Sequence, residues 1–140
     1  MIILAGMRAA GPAALCVLVI GLAGCGGGDD DEAAGGLAQE AADVVKQLQR
    51  SIADGDFEHI CDELLSADVR RQAGGGDCPA QLERTSEGVK RPRIQVRSIK
   101  IEGAMATVDV VTVAEDQARA EDKIRLVREN GAYRISSLSG

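Results

Sequence analysis

The chain has 140 residues, enough for one domain and too few for two. Hydrophobic residues make up 45% of it, but much of that apolar weight precedes Cys25, and the formal net charge is −6. An acidic chain lacks the clustered Lys and Arg that phosphate backbones require, which argues against nucleic acid as a partner. Phe57 and Tyr133 are the sole aromatic residues, so side chains typical of rich clefts and interface hot spots are scarce.

In chain order, the first feature is an export signal. From Met7 the sequence places Arg8 ahead of an apolar run, Leu15-Cys16-Val17-Leu18-Val19-Ile20, which ends in Leu22-Ala23-Gly24-Cys25. A positive start, an apolar centre and small residues before a cleavage point define a signal peptide, here residues 1–24. Met1 is a second candidate start, but it would set Ile2-Ile3-Leu4 before the one positive charge. The run is shorter than the roughly 20 residues of a membrane-spanning helix.

Leu22-Ala23-Gly24-Cys25 resembles the lipobox of bacterial lipoproteins. That resemblance implies a diacylglycerol on the Cys25 thiol, cleavage before it, and a chain held by lipid on the extracytoplasmic face of the cell membrane. Loss of residues 1–24 removes Arg8 alone among the charged residues and takes the net charge from −6 to −7. Residues 25–36, Gly-rich with Asp29 to Glu32 in the middle, are expected to form a flexible tether. Those acids lack the spaced ligands of a calcium loop, and no metal or cofactor is implied.

Four cysteines are present. Cys16 leaves with the signal and Cys25 is taken by lipid, so Cys61 and Cys78 remain in a compartment where disulfides persist. A bridge would close a ring of 18 residues, 61 to 78 inclusive. It would contribute about 3 kcal/mol through chain entropy and pin Gly74-Gly75-Gly76-Asp77. A redox or metal role lacks support, because there is no Cys-x-x-Cys and His59 is the single histidine.

Residues 37–140 read as one α+β domain. Leu37, Ala41, Val44, Val45, Leu48 and Ile52 predict an amphipathic helix over about 37–53. Asp54-Gly55-Asp56 ends it and starts the next, whose stripe is Phe57, Ile60, Cys61, Leu64 and Leu65. Ser66 is a candidate cap for a short helix carrying Val69, and another short helix follows Pro79. From Arg93 the period becomes two; Ile94 and Val96 lie out of phase with Ile99 and Ile101, which predicts a bulge near Arg97-Ser98. Residues 104–113 form a strand, 115–122 a polar connector, and Asn130-Gly131 a hairpin turn pairing Leu126 with Ile135 and Arg128 with Tyr133.

Leu126 to Leu138, with Gly131, Tyr133, Arg134 and Ile135 in that order, looks like the closing hairpin of nuclear transport factor 2-like (SnoaL-like) domains. Tyr133 stands where Trp is commoner. The resemblance implies helices packed on a curved antiparallel sheet, a cystatin-like cone that can enclose a pocket. Small envelope lipoproteins of this fold with a helix-to-loop cysteine pair are similar, which agrees with a Cys61–Cys78 bridge. Family members include isomerases, hydrolases and domains without chemistry, so the fold does not assign a reaction.

Three side chains are pocket candidates. His59 neighbours Glu58, Asp62 and Glu63 and offers acid–base or metal chemistry, yet the apolar stripe turns these toward water. Asp109 interrupts the run Val108-Asp109-Val110-Val111; a pocket carboxylate abstracts protons in isomerases of this fold, but alternation puts Asp109 on the outer face. Tyr133 would pack against the Arg128 stem and Ile135. The basic stretch Lys90, Arg91, Arg93, Arg97 and Lys100 reads as an edge strand protected by charge, with anionic headgroups or an acidic partner as the alternative. The expected function is a non-catalytic envelope lipoprotein that binds a protein or small molecule. A small pocket enzyme, isomerase- or hydrolase-like, is the alternative.

Overall fold

The computed structural model describes residues 28–139, so the signal peptide and Cys25 lie outside the described residues. Helix α1 runs Gly28–Asp54. Its C-terminal half carries the expected apolar stripe, and Ala41, Val44, Val45 and Leu48 are buried. The helix nevertheless starts nine residues before the predicted boundary at Leu37. Gly28–Gly36 is therefore helical where a tether was expected. The physical reason is cooperativity: extending an existing helix costs far less per residue than nucleating one, even through poor helix formers.

Gly55 takes φ +73°, the left-handed conformation that ends α1. Asp56 then accepts a hydrogen bond from the His59 N–H at 3.1 Å and caps the turn α2, Phe57–His59. The chain does not continue as an α-helix. Ile60–Leu64 forms a π-helical turn, closed by the Leu65 N–H donating to the Ile60 carbonyl at 2.9 Å. Ser66 caps α3, Ala67–Gln72, by accepting from the Val69 N–H at 3.3 Å. Helix α4 is Cys78–Ser86. The Cys61–Cys78 disulfide is present with a Cα–Cα separation of 6.1 Å, and joins the π turn to the first residue of α4.

Four antiparallel strands follow in simple order: β1 Lys90–Glu102, β2 Met105–Glu115, β3 Ala120–Glu129 and β4 Ala132–Ser139. The β1–β2 register slips between Val96 and Ser98, at the predicted bulge, and again between Lys90 and Arg93. Leu126 pairs with Ile135 and Arg128 with Tyr133, around a turn in which Asn130 and Gly131 both have positive φ. The connector between β2 and β3 is shorter than expected, because Thr112 pairs with Ala120 and the chain reverses through Asp116 at φ +62°.

Ala106, Val108, Val110, Ile124, Leu126, Tyr133 and Ile135 form the inner face of the sheet and meet α1 and the π turn in one core. Burial of each larger apolar side chain contributes about 1.5–3 kcal/mol. Two side chains fix how α1 lies on the sheet. Gln49 accepts from the Ile94 N–H at 2.6 Å near the start of β1. Glu40 accepts from Arg128 at 2.9 Å and from the Tyr133 N–H at 3.4 Å at the other end.

Candidate functional site

The α1 C-terminal half and the inner sheet face do not close completely on each other. Between them lies a cavity of about 300 Å³, walled by Leu48 and Ile52 of α1, Ile94 of β1, Val110 and Thr112 of β2, Asp122 and Ile124 of β3, and Leu138 of β4. Leu138, one of its lining residues, is 58% exposed. A second cavity, of about 200 Å³, adjoins it through Ile52, Ile94 and Thr112 and reaches Val89, Pro92 and Ala118. Together they form an apolar groove of the size that small ligands occupy.

The inner face contributes two polar residues, Thr112 and Asp122, to this groove, whose lining also includes Lys123, Arg93 and Gln117. Asp122 sits opposite Val110, and the Thr112 hydroxyl donates to its Oδ2 at 2.8 Å. Both are half-buried. The pairing follows from register: Thr112 and Asp122 are diagonal neighbours on the same face of adjacent antiparallel strands.

The three candidates from the sequence lie in three separate places. Asp109 is on the outer face, as alternation predicts, where Ser98 donates to its Oδ2 at 2.7 Å and Lys123 to its Oδ1. These three residues stand directly opposite one another on β1, β2 and β3. The Lys123 hydrogen bond, and next that from Ser98, hold the Asp109 carboxyl below the ordinary carboxylate range. A structural cross-strand ladder accounts for this cluster. His59 is half-buried at the end of α2, and its backbone rather than its ring makes the capping bond. Tyr133 is in the core with its ring under the Arg128 guanidinium, 5.0 Å from carbon to centroid. The Glu40 carboxylate, bonded to that guanidinium, raises the Arg128 pKa further above its ordinary value.

Comparison with solved structures decides the fold. A variant of Rd1NTF2_05 matches with a TM-score of 0.54 at 15% identity, over 71% of this chain and 94% of that one. The chain has an NTF2-like (SnoaL-like) fold. Two other structures match the NTF2-like domain with a TM-score of 0.49. One is the de novo designed NTF2-fold protein NT-9, at 16% identity over 70% of this chain and 82% of that one. The other is from Campylobacter jejuni and described as a candidate NTF2-like transpeptidase, at 13% identity over 68% of this chain and 95% of that one. No protein-family model and no curated protein matches the sequence significantly.

In this NTF2-like domain the groove carboxylate is Asp122, one β-strand away from Asp109. Asp122 fell at the end of a stretch that read as a polar connector, so its sequence context carried no signal of an inward position. The register of β2 on β3 supplies that position, with Val110 opposite Asp122. Among the described residues no group of three or more His, Cys, Asp or Glu is placed to hold a metal ion. No helix among them is long and apolar enough to cross a membrane.

Proposed function

We propose that the protein is a lipid-anchored envelope lipoprotein whose NTF2-like domain binds a small apolar ligand in the groove without transforming it. One observation carries the binding part: an apolar cavity of about 300 Å³ stands open between α1 and the sheet. The residues that a pocket enzyme would need together, His59, Asp109 and Tyr133, do not converge there. The lipobox resemblance around Cys25 supports the anchor.

Asp122 favours a second reading, a small isomerase- or hydrolase-like enzyme with that carboxylate as proton acceptor. Such chemistry also needs a group that stabilises the charge developing on the substrate. The Thr112 hydroxyl is already donated to Asp122, and Lys123 is held by Asp109 on the other face. Binding therefore has the better support.

The test uses the uncharged fluorescent dye phenylnaphthylamine. Saturable fluorescence enhancement at one site per chain is expected. Leu138→Asp should weaken it about fivefold, the effect of exposing part of a leucine-sized apolar contact. Lack of saturable binding, or an unchanged affinity in Leu138→Asp, would reject the groove as the ligand site.

A further inference from the structure

The groove has largely apolar walls and holds one carboxylate, Asp122. Asp122 receives a single hydrogen bond, from Thr112, and takes part in none of the ion pairs among the described residues. An ionised carboxylate offers about four acceptor positions, so most of its capacity is open to a further donor. A charge partly withdrawn from water and unpaired is a cost that a ligand can relieve.

Two cations line the groove, Lys123 in the cavity beside Asp122 and Arg93 in the adjoining one. Lys123 is bonded to Asp109 on the outer face. Arg93 alternates with inward-facing Ile94 and is exposed. An anionic ligand would thus meet Asp122 beside a lysine whose ammonium is already bonded to Asp109. An ammonium would meet a carboxylate acceptor backed by apolar walls, in a chain whose net charge of −6 draws cations toward it.

We infer that the groove selects an organic cation: an apolar body bearing one ammonium group that donates to Asp122. This inference rests on the binding reading above and adds the ligand's charge to it. The apolar body fills the space beside Leu48, Ile52 and Ile124, and extends toward the adjoining cavity of about 200 Å³. The ammonium hydrogen bond to a charged acceptor supplies the discrimination, at the lower end of its range because Asp122 is half-buried.

The experiment compares three probes with the same apolar body, adamantyl ammonium, adamantanol and adamantane carboxylate, as competitors of phenylnaphthylamine on the full chain. The ammonium is expected to bind about tenfold more tightly than the alcohol, and the carboxylate most weakly. Asp122→Asn keeps the Thr112 hydrogen bond and should erase the preference for the ammonium over the alcohol. Thr112→Val leaves the carboxylate and should retain the preference. Dye binding with equal or reversed ranking of the probes, or with displacement by none of them, overturns the charge selection and leaves the binding reading standing. Absence of dye binding overturns both. The ranking in the unchanged protein decides the matter even if Asp122→Asn fails to fold.

Discussion

Tyr133 shows how one residue can be well placed by its ring and poorly served by its hydroxyl. It is 2% exposed, and its oxygen has no hydrogen-bond partner. The ring lies under Arg128, and the backbone N–H donates to Glu40, which also binds Arg128. The aromatic body therefore ties the hairpin to α1, while the buried hydroxyl costs about 1–3 kcal/mol for the water contacts it gave up. Tyr133→Phe keeps the ring and should stabilise the fold by about 1 kcal/mol, read as a higher urea midpoint at unchanged slope. A lower midpoint would mean that the hydroxyl is bonded in solution. The burial of Tyr133 and the outward turn of Asp109 are both legible, the first from the hairpin with its two-residue turn and the second from alternation with Ala106, Val108 and Val110. The orphaned hydroxyl is not, because it depends on what the opposite elements present at one point in the core.

At the scale of elements, caps and turns are legible in the sequence, whereas the helical start at Gly28 and the π turn are not. Asp54-Gly55-Asp56, Ser66 and Asn130-Gly131 act through hydrogen bonds and backbone angles within a few residues. The bulge betrays itself by a phase slip in the apolar pattern. The π turn Ile60–Leu64 gives no such sign, since Phe57, Ile60, Cys61, Leu64 and Leu65 fit an α-helical stripe equally well. What sustains it comes from far along the chain: Arg134 donates to the Asp62 and Glu63 carbonyls, and the Ser66 N–H donates to the Ile135 carbonyl at 2.9 Å. The disulfide acts on the same region. Gly74 and Gly75 both have positive φ in the loop before α4, and Cys61 and Cys78 are 1% and 0% exposed. Joint substitution Cys61→Ala and Cys78→Ala should lower stability by about 3 kcal/mol, measured by denaturant unfolding under non-reducing conditions. A loss below about 1 kcal/mol would show that α4 is held by packing alone.

For the whole molecule, the site was the least legible part because no short stretch contains it. Thr112 and Asp122 meet across a β2–β3 pair, and the wall opposite them comes from Leu48 and Ile52 on α1. The proposed attachment is the reverse case, since the resemblance that suggests it lies in four consecutive residues, Leu22 to Cys25. The described helix begins at Gly28, three residues after Cys25, and its buried stripe begins only near Leu37. The nine residues Gly28–Gly36 rise about 14 Å as a helix, so a lipid on Cys25 would hold the domain off the bilayer on an arm whose last three residues, Ala34 to Gly36, are exposed. Anchoring and folding should then separate cleanly. One acyl chain binds a membrane marginally and reversibly, whereas the several chains on a lipoprotein cysteine hold it firmly. Cys25→Ser should move the protein from the membrane pellet to the soluble fraction of the cell envelope and leave its thermal unfolding midpoint unchanged. Retention in the pellet after a high-salt wash would reject the lipid on Cys25 as the anchor, since salt removes electrostatic attachment and leaves acyl insertion intact. Release accompanied by a lower midpoint would show that the N-terminal arm packs on the domain instead of standing clear of it.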